Sequence, residues 1–227
     1  MTRERDLRDH WFREAKRQGY RSRAAFKLTE IDDKRELFFE GARVLDCGCA
    51  PGSWLEVALE RVGDRGRVVG VDLKTIRPID DARLTMLVGD LTAMSADELT
   101  EPNRGKRYDA VISDMAPNTT GDRAMDHHGS IRLCHAVVDR CRDVLKLDGA
   151  CVLKAFEGEA YRDLLERLKA CFGSVKGYKP KASRTMSTEM YLIAFGYRGP
   201  KHDPWTADPD EPAPAPPPPK PVRGWGR

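Results

Sequence analysis

Arg43-Val44-Leu45-Asp46-Cys47-Gly48-Cys49-Ala50-Pro51-Gly52-Ser53-Trp54 is the stretch on which the fold turns. It opens as a short β-rich run, breaks at a glycine-bearing turn and passes into a helical stretch. In a doubly wound sheet, ligands bind at the carboxyl ends of strands, and a glycine turn there lets the backbone approach with no Cβ in the way. Gly48 and Gly52 suit that task. The spacing is not the GxGxxG of dinucleotide enzymes, and Pro51 removes an N–H that a pyrophosphate cradle would use. A ligand without phosphates fits better, which weighs against a nicotinamide-dependent oxidoreductase.

Working outward, further strand runs are expected at Arg67–Asp72, Leu84–Val88, Tyr108–Ser113, Ala150–Phe156, Val175–Lys179 and Met190–Phe195. Two helices show in their spacing: Cys134, Val137, Val138, Cys141, Val144 and Leu145 repeat on one face, as do Tyr161, Leu164, Leu165, Leu168 and Phe172. Strands alternating with helices predict an α/β fold with a mostly parallel, seven-stranded sheet flanked by helices. The last two strand runs have no long helix between them, so an antiparallel pair at one sheet edge is expected.

The chain has 227 residues, 40% hydrophobic and 33% charged, enough for one α/β domain. No apolar run approaches the roughly 20 residues that span a bilayer, and the first residues are charged, so a cytoplasmic chain with no membrane partner is expected. Six cysteines lack paired metal or disulfide spacing and read as reduced thiols, with Cys134 and Cys141 in a core stripe. No metal is expected, and His127-His128 reads as a solvated pair.

The net charge of +3 says little, but its distribution says more. Arg13, Lys16, Arg17, Arg21, Arg23 and Lys27 face one acid, Glu14, and Arg167, Lys169, Lys176, Lys179, Lys181 and Arg184 face none. Two such clusters favour a phosphate-binding surface. Residues 1–35 are accordingly expected to be a basic RNA-binding segment packed on a core of 36–198. Ten of the fifteen prolines lie from Pro200 onward, so 199–227 is expected to be an extended tail.

Polar groups gather where strands end. Asp72 closes the second strand, where a carboxylate can accept both hydroxyls of a ribose. Asp90 follows the third, placed to accept from an adenine amino group, and Asp114 follows the fourth. A glycine turn followed by acids at two successive strand ends points to a fold that binds S-adenosyl-L-methionine. Lys154 stands in the otherwise apolar fifth strand, where burying it is costly unless it is paired or neutralised. A ribose hydroxyl attacking a sulfonium methyl must lose its proton, and a neutral amine can take it. An ordinary lysine titrates near ~10.4, so desolvation or a nearby cation such as Lys27 is required. Glu189 is placed to orient one lysine or balance the pair.

Arg21 to Leu28, Gly48 to Trp54, Ser113 to Asn118, Lys154-Ala155-Phe156 and Ser187 to Tyr191, in that order, resemble the FtsJ-type (RrmJ-like) ribose 2'-O-methyltransferases over about Asp9 to Tyr197. The resemblance implies a Rossmann-like class I methyltransferase fold and a Lys-Asp-Lys-Glu tetrad on Lys27, Asp114, Lys154 and Glu189, with Lys154 as the base. It places cofactor contacts at Gly52, Trp54, Asp72, Asp90 and Asp114, beside the turn glycine Gly48. Ser53 departs from the pattern, since many relatives carry a second glycine there. The implied substrate is a uridine of large-subunit (23S) ribosomal RNA, met by a monomer, with RNA phosphates held by Arg17, Arg21, Arg23, Lys179, Lys181 and Arg184. The alternatives are a tRNA anticodon-loop 2'-O-methyltransferase and a catalytically silent ribosome-assembly factor.

Overall fold

The computed structural model describes residues 2–183 and 187–205, with side chains from residue 10. Its elements in chain order are α1 (Thr2–Gln18), α2 (Ala24–Arg35), β1 (Arg43–Cys47), α3 (Ser53–Val62), β2 (Arg67–Asp72), β3 (Leu84–Val88), α4 (Ala96–Thr100), β4 (Tyr108–Ser113), α5 (Arg123–Val144), β5 (Leu145–Phe156), α6 (Tyr161–Cys171), β6 (Phe172–Tyr178) and β7 (Glu189–Tyr197). The strands form one seven-stranded sheet in the order β3-β2-β1-β4-β5-β7-β6. Every pairing is parallel except those of β7, which runs antiparallel to both β5 and β6. The expected antiparallel pair is therefore present, with β7 inside the sheet and β6 at the edge.

Both faces of the sheet are covered, which explains why its central strands read as near-continuous apolar runs. On one face Leu45, Val69, Val111 and Leu153 pack with Val137, Val138 and Cys141 of α5 and Leu164 and Leu168 of α6. On the other, Val44, Val68, Ile112, Val152 and Ile193 pack with Leu28 and Ile31 of α2 and with Leu55, Val57 and Val62 of α3. Burying each such aliphatic side chain contributes about 1.5–3 kcal/mol. Helix α2 is thus part of the core wall, and its Lys27 reaches Glu189 at the start of β7.

All six cysteines are buried and unpaired. Burial pushes the thiols of Cys47, Cys49, Cys134 and Cys171 above their ordinary range. The described residues contain no group of three or more potential metal ligands, and no helix among them is long and apolar enough to cross a membrane.

Three sequence expectations need correction. Arg167, counted in the second basic cluster, is fully buried. Its guanidinium meets Asp203 through Nε at 2.9 Å and Nη2 at 2.6 Å, Asp139 at 2.5 Å and the acceptor Nδ1 of His135 at 3.0 Å. Burial and the adjacent guanidinium both lower the His135 pKa, which suits a ring that accepts this bond. Secondly, the chain from 199 to 205 is docked rather than extended: a 3-10 turn at Pro200–His202 leads to buried Asp203, and Trp205 stacks on His135 with ring centroids 4.0 Å apart. Charge pairing, invisible to hydropathy, holds this segment. Finally, His127 is buried: its Nδ1 bonds to the Phe156 carbonyl at 2.8 Å and its Nε2 accepts from Ala160 N at 3.0 Å. His128 is half-buried and pairs with Glu159. Arg184 and the tail beyond 205 lie outside the described residues.

Candidate active site

The topology gathers the candidate residues at one end of the sheet. β1, β4 and β5 deliver Asp46, Asp114 and Lys154 at their carboxyl ends, and antiparallel β7 begins there, so its first residues face the end of β5. In register, Lys154 lies opposite Tyr191 and Phe156 opposite Glu189. Lys27 comes over the same end from α2.

Two ion pairs form. Lys154 Nζ lies 3.1 Å from Asp114 Oδ1 and also donates to the Asp114 carbonyl. Lys27 Nζ donates to Glu189 Oε1 at 2.7 Å, and Ser183 Oγ donates to the same oxygen at 2.7 Å. Burial alone would raise the Glu189 pKa, but the Lys27 charge and hydrogen bond, the Ser183 hydroxyl and the Lys154 charge outweigh it and hold the carboxyl below its ordinary value. Glu189 therefore stays ionised and feels both lysines.

Tyr191 links the pairs, and sequence reasoning missed it. It is fully buried beneath the site, its hydroxyl donates to Asp114 Oδ1 at 2.6 Å, and Lys27 Nζ sits 5.6 Å from its ring centroid. Burial, then the Asp114 and Glu189 charges, push its phenol far above the ordinary value, so it remains a donor. The signal was available: a tyrosine two residues after Glu189 on a strand points to the same face.

The glycine turn forms the other wall of the crevice, whose lining includes Ala24, Asp46, Gly48, Pro51, Trp54 and Asp114. Gly48 has φ +75°, and a Cβ there would lie 1.9 Å from Met115 Cγ. Gly52 has φ +105° and directly precedes α3. Ser53 does more than replace a glycine: its buried hydroxyl bonds the Ser22 hydroxyl at 2.7 Å, fastening the turn to the start of α2. Trp54 donates Nε1–H to the Ala24 carbonyl at 3.0 Å and packs on Tyr191.

The strand-end acids are differently placed. Asp72 accepts from Ala50 N and Lys74 N, one oxygen each, so it shapes the turn. Asp90 is exposed and uses Oδ1 for Thr92, whose bonds lower its pKa. Asp46, which the sequence reading passed over, is 1% exposed with neither carboxylate oxygen hydrogen-bonded. Burial, then the Asp114 and Asp72 charges, raise its pKa well above the ordinary value. A buried carboxylate without donors is costly unless a ligand supplies them.

This has a measurable consequence in the ligand-free protein. A raised folded-state pKa gives stability that is fully present below the unfolded pKa, near ~3.9, and is lost as pH rises through the folded one. Asp46→Asn removes that dependence, so its Tm should exceed that of the wild type at neutral pH by a few degrees, about 1–3 kcal/mol, with the gap closing toward pH 4. Thermal melts across pH check this, and a less stable variant at neutral pH would sink it.

Of the candidate RNA contacts, Arg21 is largely committed internally: Nε bonds Glu56 at 2.9 Å, and the two terminal nitrogens donate to the Arg77 and Pro78 carbonyls. Arg17 pairs with Glu14, and Lys179 donates to the Ser187 carbonyl. Arg23 and Lys181 are partly to fully exposed.

Known proteins similar to this chain point to one family. Residues 20–197 match the model of the FtsJ-like methyltransferases. A ribosomal RNA large subunit methyltransferase E from Caulobacter vibrioides is 44% identical over 196 residues, covering 86% of this chain and 85% of the relative. The protein of the same name from Methanosphaera stadtmanae is 39% identical, covering 86% and 95%. A crystal structure from Plasmodium falciparum, described as a ribosomal RNA methyltransferase, superposes with a TM-score of 0.71 at 30% identity, covering 80% of this chain and all of that one.

Proposed function

The chain belongs to the FtsJ-like methyltransferase family and has its Rossmann-like class I fold, and on that premise we propose that it transfers a methyl group from S-adenosyl-L-methionine to the 2'-oxygen of a uridine in 23S ribosomal RNA of the large subunit. The observation that carries the chemistry is the paired tetrad, Lys154 with Asp114 and Lys27 with Glu189, at the mouth of the crevice. The names of the relatives support the substrate class.

The residues present fit the cofactor. Asp46 offers two unpartnered buried oxygens to a cationic or hydroxyl-bearing ligand, and the crevice beside the glycine turn has no Cβ at Gly48 or Gly52. Asp90 has an exposed carboxylate for an amino group, and Asp72 sets the turn that bounds the site. When bound, S-adenosylmethionine supplies a methyl group on a sulfonium, a strong electrophile.

The chain's own residues position and deprotonate the acceptor. A neutral amine has two N–H bonds and one lone pair. Once the Lys154 ammonium of the ion pair has released one proton to solvent, the Asp114 carboxylate and carbonyl take its two remaining N–H bonds, leaving the lone pair for the proton of the ribose hydroxyl. Tyr191 fixes the Asp114 carboxylate, and Glu189 fixes the Lys27 ammonium beside the site. Alignment of hydroxyl with methyl supplies much of the rate, since correct placement alone is worth up to about 7–11 kcal/mol in favourable cases.

The test is transfer of labelled methyl to large subunits lacking modification and to tRNA, side by side. Ribose labelling of the subunit is the expected result. Labelling of tRNA alone would favour the anticodon-loop reading, and RNA binding without transfer would favour the assembly factor.

A further inference from the structure

A second cavity, about 410 Å³ and open to solvent, lies between the end of α1, residues 19–22, α3 and the loop after β2. Its volume falls in the usual range for ligand pockets, about 300–1,000 Å³. Phe12, Lys16, Tyr20, Arg21, Glu56 and Arg77 line it. Phe12 is 64% exposed, unusual for a phenyl ring. Glu56, the one acid in the lining, bonds both the backbone N and Nε of Arg21 and is neutralised there. Among the described residues, the Lys16 ammonium and the Arg77 guanidinium have no recorded hydrogen bond or ion pair, and both are exposed. The cavity thus pairs an available aromatic face with two uncommitted cations.

Its position ties it to the active site. Ser22, also in the lining, bonds Ser53 at the glycine turn, and Arg21 holds the carbonyls of Arg77 and Pro78, fixing the loop that carries the second cation. Ser22 lines the cavity and Ser53 the crevice, so their hydrogen bond marks where the two are neighbours.

We propose that this cavity is a subsite for one unpaired nucleotide of the RNA strand that carries the methylated ribose, its base stacked on Phe12 and its phosphate held by Lys16 and Arg77. The proposal rests on the RNA-methylating function argued above. Single-stranded RNA is read by stacking on aromatic rings together with cation–phosphate contacts, and a phenyl accepts any base. The subsite therefore grips without selecting sequence, while the crevice places the reacting ribose. The sequence contained the cations but not their grouping, because Arg77 lies far along the chain from Lys16.

The experiment measures binding of the full chain to protein-free large-subunit RNA and to assembled large subunits across salt, for the wild type, Phe12→Ala, Phe12→Trp and the double variant Lys16→Gln/Arg77→Gln. Phe12→Ala should weaken binding roughly tenfold or more and Phe12→Trp should restore it. The double variant should lower the slope of log affinity against log salt by about 0.7 per cation. Cofactor affinity and Tm, measured in parallel, report whether each variant is folded. Wild-type binding that all variants share overturns the subsite and leaves the proposed function standing. An effect confined to assembled subunits, absent with protein-free RNA, also overturns it, assigning the cavity to a protein contact. A wild type that binds neither the protein-free RNA nor the assembled subunits overturns both.

Discussion

Lys154→Ala is expected to lower methyl transfer by about 10²–10⁴-fold, the usual contribution of a positioned acid or base, while cofactor binding persists. The amine stands among acceptors from a single residue, and removing it leaves Asp114 still held by Tyr191. The rest of the crevice wall therefore stays in place. Lys154→Arg separates two roles for the amine. A guanidinium keeps the charge and the donors but offers no lone pair at any working pH. If the amine accepts the proton, arginine rescues nothing; if it only orients the hydroxyl, arginine recovers a good part of the rate. Single-turnover transfer to the large subunit reads this directly, and a loss under tenfold in Lys154→Ala would remove Lys154 from the chemistry.

The second large effect is on stability, at the far side of α5 and α6. Asp203→Ala should cost about 3–5 kcal/mol, the usual consequence of stranding one partner of a buried pair, and lower Tm by roughly 6–20 °C for a chain of this size. The Arg167 side chain is wholly buried and the Asp203 side chain 4% exposed, while the remaining carboxylate, Asp139, is 43% exposed and much weakened by water. The cost comes chiefly from the guanidinium left behind. Arg167→Leu combined with Asp203→Ala should recover much of the loss, because no buried charge then remains. Denaturant titrations of both single variants and the double give the coupling energy. A loss below about 1 kcal/mol in Asp203→Ala would show that the clasp is dispensable.

The fold was legible because its punctuation is written locally. The breaks at Gly48, Asp72, Gly89 and Asp114 mark strand ends, and the first four strands lie where those breaks place them. The tetrad was legible because its members fall in separated short motifs whose order resembles the FtsJ-type enzymes. What escaped shares a cause: it depends on partners distant in the chain. Arg167 looked like one of six surface cations because its acid, Asp203, lies in a segment that reads as a proline-rich tail. Asp46 sits in the very turn that decided the fold, yet nothing in the sequence shows that its oxygens lack donors. Tyr191 looked like one more aromatic in an apolar strand until β7 paired with β5. Helix α1 was hidden by charge density, which thins its apolar stripe to Leu7, Trp11 and Ala15.

The buried thiols turn the molecule into its own recorder of motion. An alkylating reagent attacks thiolates, and burial both shields these sulfurs and keeps four of them protonated. Cys47, Cys134, Cys141, Cys151 and Cys171 lie in the layer under α5 and α6, and Cys49 alone in the layer under α2 and α3. Labelling of Cys49 in advance of the others would register a breath of the α2–α3 layer by itself, whereas labelling of all six together would mark the collapse of the whole sheet.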